Sequence, residues 1–266
     1  MSEDKPIGIT ETEEEKLNRL RKLERVLDPI TTRNLETIGV AAGWKCLEIG
    51  AGAGSVAQWI STRVGPTGKV VATEIDTRFL KHVIIPNLEI RQHDIVKDAL
   101  EVGEYDLVHC RRVLVDLQEP EKAMVRMADA VHPGGWLMIE EEDYGSILST
   151  DLTNPAATLF VEVWRGGIAA LRKMKILDPL IGRKVREFIE PLGFVDVSLG
   201  GWTRINRGGD PTAEFDAASV QMAATPLIGA GQLTQEQVSS ILRLLQDPTF
   251  YYLGSTIFSA WGRKPE

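Results

Sequence analysis

Cysteine is nearly absent from this chain: 266 residues contain two, Cys46 and Cys110, alongside only four histidines. Both cysteines fall in predicted buried strands, so neither a disulfide framework nor a Cys/His metal cluster is expected, and no metal is. A reduced, cytoplasmic protein with two small apolar thiols follows. Long apolar stretches are missing too. No run reaches the length of a membrane-crossing helix, and Met1-Ser-Glu-Asp-Lys5 lacks the apolar region of a signal peptide. Positive charge is in deficit, 30 Lys+Arg against 38 Asp+Glu, for a net charge of −8. That balance disfavours a nucleic-acid partner and an anionic membrane surface. Repeats and low-complexity tracts are also lacking. What is there is an ordinary globular composition, 43% hydrophobic and 26% charged.

The length fits a single domain, 1–266. Residues 1–10 read as a loose tail. Leu17, Leu20, Leu23 and Leu27 give a helical stripe over Thr12–Asp28, which Pro29 is expected to end. Thr31 or Thr32 then caps a second helix through Ile38, closed by Gly39. From residue 43 apolar strands alternate with amphipathic helices: strands at Lys45–Gly50, Lys69–Glu74, Leu88–Arg91, Tyr105–Cys110 and Trp136–Glu141, with helices at Ser55–Val64 and Pro120–Ala130. Such alternation implies a parallel sheet covered on both faces, an α/β, Rossmann-like fold. The second half changes character, with helices at Pro155–Lys175, Ile181–Leu192, Pro211–Pro226 and Thr234–Gln246. Phe194–Arg204 reads as one strand and Phe250–Trp261 as a terminal one. The expected division is therefore N-terminal helices over 1–42, a ligand-binding core over 43–145, and a helical cap insertion with the last two strands over 146–266.

The most informative segment is Lys45-Cys-Leu-Glu-Ile-Gly-Ala-Gly-Ala-Gly-Ser55: a strand, a glycine turn and a helix start. The glycines let backbone approach a ligand, and the helix N-terminus offers N–H groups and a positive dipole end. Ligands of open α/β sheets lie at the carboxyl ends of the strands, and three acids fall there. Glu48 precedes Gly50, Glu74 ends the second strand, and Asp94 follows the third. A dinucleotide fingerprint needs a third glycine where Ser55 stands, and an acid such as Glu48 would repel a diphosphate. Glu48 suits a cationic amine, Glu74 a ribose diol, and Asp94 an exocyclic adenine amine.

These residues resemble the class I S-adenosylmethionine-dependent methyltransferases, in the small-molecule and quinone-biosynthesis pattern. The resemblance rests on Leu47-Glu-Ile-Gly-Ala-Gly-Ala-Gly54, Val70-Val-Ala-Thr-Glu-Ile-Asp76, His93-Asp-Ile95, Tyr105-Asp-Leu-Val-His-Cys-Arg111 and Pro133-Gly-Gly-Trp136, in order. The family implies a seven-stranded sheet of order 3-2-1-4-5-7-6 with strand seven antiparallel, helices on both faces, and S-adenosylmethionine as cofactor. Carried over by position, Gly50, Ala51 and Gly52 line the methionine portion beside Glu48, and Glu74 holds the ribose. Ile75 packs on the adenine, Asp94 and Ile95 bind its amine and edge, and Arg111 meets the cofactor amino group through its carbonyl. Glu74 departs from the family's more usual Asp, and Asp76 competes for its role. Arg33 stands either near the cofactor carboxylate or on a solvated helix face.

The acceptor side is less legible. His109, at the end of strand four, is the candidate general base, with a packed histidine beneath the cofactor as the alternative. Of the acids Glu140–Asp143, strand alternation puts one or two toward a pocket and the rest in solvent. Arg111 and Arg112 stand either on an acidic substrate or in salt bridges to that run. Trp164, Trp202, Phe250, Tyr251 and Tyr252 are either pocket wall or core. The expected reaction is methyl transfer to a small organic acceptor, at oxygen or carbon before nitrogen by family habit. The rivals are a cofactor-binding accessory protein without transfer and an NAD-dependent oxidoreductase. Partners are a small-molecule acceptor, no nucleic acid and no membrane insertion. The N-terminal helix packs either on its own domain or on a second copy in a homodimer.

Overall fold

The structure, a computed structural model, describes residues 11–150 and 153–266; the tail expected over 1–10 lies outside the described residues. In chain order the first elements are α1 (Glu13–Ile38), β1 (Lys45–Ile49), α2 (Ser55–Val64), β2 (Lys69–Glu74), β3 (Leu88–Gln92), β4 (Tyr105–Arg111) and α3 (Pro120–Ala130). Then come β5 (Val131–Asp143), β6 (Leu148–Ser149), α4 (Pro155–Lys173), α5 (Val185–Ile189), β7 (Val195–Trp202) and β8 (Ile205–Arg207). The last are α6 (Pro211–Gly229), α7 (Gln235–Gln246), β9 (Tyr251–Leu253) and β10 (Thr256–Arg263). They group into two units. One comprises Leu27–Glu142, Ile181–Trp202 and Ile257–Glu266; the other a segment ending at Val26, Asp143–Leu180 and Thr203–Thr256.

The first unit holds a seven-stranded sheet of order β3-β2-β1-β4-β5-β10-β7. Counted along the chain, its strands run 3-2-1-4-5-7-6, as the resemblance implied, and β10 pairs antiparallel with β7. β1 pairs parallel with β2 and β4, placing Glu48 opposite His109. One face buries Cys46, Val70, Ala72, Leu107 and Met138 beneath Val56, Ile60 and Val64 of α2 and Leu35 and Ile38 of α1. The sheet is thus covered by the apolar stripes of its helices, the main driving force for this layering.

Three local expectations change. Pro29 does not end the N-terminal helix: α1 runs through it to Ile38. Its stripe of Leu27, Ile30, Leu35 and Ile38 stays buried across the proline, and Thr32 Oγ1 donates to the Asp28 carbonyl at 2.8 Å. Burial on both sides outweighs the missing N–H. Thr31 and Thr32 are therefore mid-helix residues rather than caps. The strand expected from Trp136 starts earlier, at Val131, with His132–Gly135 as a bulge inside β5. The register against β4 shifts there, and Gly134 and Gly135 exchange 2.8 Å hydrogen bonds with Lys264. The terminal strand is two strands in two sheets, broken at Gly254. Its N–H donates to Arg204 O at 3.0 Å, and a Cβ there would lie 2.4 Å from Asn206 Nδ2. For the same reason the strand expected over Phe194–Arg204 divides into β7 and β8.

The second unit joins α4, α6 and α7 to the small antiparallel sheet β6-β9-β8. Each helix carries a sequence-readable start: Asn154 caps α4, Asp210 caps α6, and Thr234 with Gln237 forms a capping box on α7. The interior is aromatic. Phe160 lies 5.1 Å from Phe250 edge-on and 5.2 Å from Tyr252, with Trp164 beside it. Trp164, Phe250 and Tyr252 are thus core residues, Tyr251 is exposed, and Trp202 ends β7 in the first unit.

Candidate active site at the strand ends

The glycine corner is built by the chain reversing between β1 and α2. Gly50 takes φ +69°, which disfavours any side chain, and a Cβ there would sit 2.4 Å from Val113 Cγ2. Gly54 caps α2 in the left-handed conformation at φ 95°, with no side-chain cap. Ala51 N–H donates to Thr73 O at 2.9 Å and Gly54 N–H to Ala51 O at 2.8 Å, tying the turn to the end of β2.

Glu74 stands at the centre of this corner. Its Oε2 accepts from Gly52 N–H at 3.0 Å and its Oε1 from Ile75 N–H at 2.9 Å. Both oxygens are held by backbone, and each retains acceptor capacity. Asp76, the competitor, is committed elsewhere: it caps the turn Thr77–Leu80 and pairs with Arg78 at 2.8 Å. Ile75 is 58% exposed, an apolar surface beside that carboxylate. Asp94 accepts from Val96 N–H at 2.9 Å and pairs with Lys97 at 3.0 Å. Burial opposes its charge, but the bonds from Lys97 and Val96 win and hold its carboxyl below the usual range. Ile95 is buried and its carbonyl accepts from Arg126, so of this pair only Asp94 presents a partly exposed side chain.

Beneath the corner lies a buried polar row crossing β1, β4, β5 and β10. His109 Nδ1 is 2.6 Å from Glu48 Oε2, and its Nε2 is 3.6 Å from Glu140 Oε2, an ion-pair distance too long for a hydrogen bond. Glu140 accepts from Thr31 Oγ1, from Asn34 Nδ2 at 3.0 Å and from Ser259 Oγ at 2.7 Å. Arg111 reaches Asp28 at 3.0 Å and Thr31 at 2.9 Å, and Ser55 Oγ also donates to Asp28, at 3.0 Å. Burial alone would lower the His109 pKa. The charge of Glu48 and the Glu140 carboxylate instead raise it to about 9. Burial opposes the Glu140 charge, and His109 and Thr31 pull its pKa down to about 2.

His109 thus sits as a packed histidine rather than at an exposed strand end. It has no exposed surface, and a carboxylate stands near each nitrogen. The run Glu140–Asp143 also departs from expectation, because all four acids are buried rather than half solvated. Glu141 lies on the opposite face, accepting from Val113 N–H at 2.9 Å and Leu114 N–H at 2.7 Å, and burial pushes its carboxyl up to about 8. Glu142 pairs with Arg112 at 3.1 Å, and Asp143 holds Gly145 N–H at 2.9 Å. Arg33 is exposed on α1 and donates to Asn34 Oδ1 at 3.3 Å.

Sequence reasoning missed Asp28, Thr31, Asn34 and Val113. The two-residue spacing of His109 and Arg111 with that of Glu140 and Glu142 does signal one polar sheet face. The helix that completes it is five strands distant in sequence and gives no local sign.

A seven-stranded sheet of this order with a glycine corner after its first strand defines a class of Rossmann-like fold. The comparisons narrow it. A family model described as a methyltransferase domain matches residues 18–179, so the chain belongs to that family. Methyltransferase str2 of Strobilurus tenacellus is 28% identical over 149 residues, 55% of this chain and 51% of that protein. The ubiquinone/menaquinone biosynthesis C-methyltransferase UbiE of Pseudomonas putida is 31% identical over 115 residues, 40% of this chain and 45% of that protein. The matched stretch spans about half the length of these curated relatives. A solved Bacillus halodurans C-125 protein described as a methyltransferase superposes with TM-score 0.58 at 17% identity, covering 88% of this chain and 98% of that one. A Haemonchus contortus phosphoethanolamine N-methyltransferase 2, solved with S-adenosylhomocysteine, gives 0.51 at 14% identity, covering 94% of this chain and 53% of that one. At these identities the structures speak for the fold. Among the described residues no helix is long and apolar enough to cross a membrane, and no His/Cys/Asp/Glu group could hold a metal.

Proposed function

We propose that this protein transfers a methyl group from S-adenosylmethionine to a small organic acceptor, at oxygen or carbon. The observation that carries the cofactor reading is Glu74, held by Gly52 and Ile75 N–H groups at 3.0 and 2.9 Å beside the exposed Ile75. That arrangement suits a ribose diol with an adenine lying on Ile75. Gly50, Ala51 and Gly52 would line the methionine portion, and Asp94 would accept from the adenine amine. The Arg111 side chain is committed to Asp28 and Thr31, so contact with the cofactor amino group falls to its carbonyl, as in the family. The bound cofactor supplies an activated methyl on a sulfonium. The chain's own residues bind and orient it, and positioning can supply much of the rate of such a displacement. The likeness to a C-methyltransferase and the acidic net charge of −8 support a small acceptor over a nucleic acid.

Calorimetry with S-adenosylhomocysteine tests the cofactor reading: binding by the wild type and its loss in Glu74→Ala are expected. A protein that binds no S-adenosylhomocysteine sinks it. Turnover of S-adenosylmethionine with a panel of phenols and quinols then separates a transferase from a cofactor-binding accessory protein.

A further inference from the structure

The buried row under the glycine corner holds more charge than packing requires. Glu48 is 2% exposed, and His109 and Glu140 are fully buried. The facing groups on every adjoining element are known. On β4, Arg111 is paired with Asp28 of α1; β5 brings Glu140; β10 brings Ser259; α1 brings Thr31 and Asn34. The nearby thiols of Cys46 and Cys110 are pushed up by burial and stay neutral. With Arg111 and Asp28 offsetting each other, two carboxylates, Glu48 and Glu140, flank the single imidazole of His109. Glu140 has three hydrogen-bond donors of its own besides the histidine, whereas Glu48 leans on His109.

We propose that His109 is a positioning residue: from its place between Glu48 and Glu140 it holds the Glu48 carboxylate, 2.6 Å away, beside the glycine corner to receive the ammonium group of the cofactor. This inference rests on the cofactor reading above. Its physical basis is that two desolvated carboxylates cannot both stay ionised without the intervening cation. Remove the cation and one of them takes up a proton. Glu140 keeps three donors and the nearby Arg111, whereas Glu48 loses the imidazole that holds it. The ammonium then loses its counter-charge.

The test is His109→Gln, which retains hydrogen-bonding capacity and removes the charge, read by S-adenosylhomocysteine calorimetry between pH 6 and 8. The ratio of variant to wild-type Kd cancels titration of the ligand's own amine. That ratio is expected to be about tenfold or more at pH 6 and to shrink as pH rises, as loss of a charge rather than of packing requires. A ratio that stays near one, or one that is raised equally at every pH, overturns the inference, since the second result is what lost packing alone produces. If His109→Gln fails to fold, nitrogen NMR of wild-type His109 decides: both ring nitrogens protonated at pH 7.5 supports the imidazolium, and a neutral ring overturns it. Failure of the wild type to bind S-adenosylhomocysteine would instead strike the cofactor reading, leaving the charge state of His109 separately measurable.

Discussion

In the unit built on the seven-stranded sheet, the strand ends bury Glu48, His109, Glu140 and Glu141, whereas the other unit closes around Phe160, Trp164, Phe250 and Tyr252. Both interiors exclude water, but they differ in what they cost. The aromatic core is stabilised chiefly by apolar area and ring contacts. The polar row pays desolvation for each ion and recovers it only through near-complete partnering: Glu140 alone takes donors from Thr31, Asn34 and Ser259. Such a cluster, directly under the glycine corner, fits the charged-ligand site proposed above. The aromatic core has no such feature at its centre. There a deep polar contact, Tyr252 Oη donating to Asp216 at 2.6 Å, joins two buried groups.

The contrast can be broken most forcefully from the aromatic side. Phe160→Ala empties the centre of that core and is expected to cost about 3–5 kcal/mol of stability, read by denaturant unfolding. S-adenosylhomocysteine affinity of the folded variant should stay within about twofold; a large loss would show that the two interiors do not divide stability from binding. Gly50→Ala does the converse. Its Cβ meets Val113 Cγ2 at 2.4 Å in a left-handed conformation, and displacement of the corner is expected to weaken cofactor binding about 100-fold. Wild-type affinity there would mean that the corner is not the ligand cradle.

Glu74→Ala removes a carboxylate with charge-assisted hydrogen bonds, and about 10–100-fold weaker S-adenosylhomocysteine binding is expected. Asp76→Ala, whose carboxylate already serves Arg78, should leave affinity nearly unchanged. The reverse ranking would transfer the ribose role to Asp76. The smallest effect is a pH slope. Glu141, with its pKa raised from an ordinary 4.5 to about 8, stabilises the fold fully below pH 4.5 and loses that contribution as pH rises through 8. Glu141→Gln cannot ionise, so its Tm should fall less than that of the wild type between pH 5 and 8, by a few degrees. Parallel slopes would show Glu141 to be ionised throughout.

Much of this molecule is legible in its residues. The alternation from Lys45 onward reports a covered parallel sheet because buried strands and amphipathic helices have different periods. Gly50, Glu74 and Asp94 fall at strand ends that the sheet brings to one edge. Glu48 was readable as an unusual acid between Leu47 and Ile49, though its partner was not. Pro29 misled because local propensity marks a helix end, while burial of Leu27, Ile30 and Leu35 carries α1 through it. The acids Glu140–Asp143 misled because alternation predicts which face a side chain takes, and both faces of β5 are covered.

The sequence by itself determined the class of fold, the glycine corner and the identity of the acids around it, since each depends on local pattern and spacing. Only the tertiary structure decided that His109 is buried between Glu48 and Glu140 and that α1 supplies Thr31 and Asn34 to Glu140 across 109 and 106 residues of chain. It also decided that the aromatic residues of β9 and α4 form a core. A side chain's charge and reach are set by its chemistry, but its pKa and role are set by the groups that folding places against it, and those lie far away in sequence.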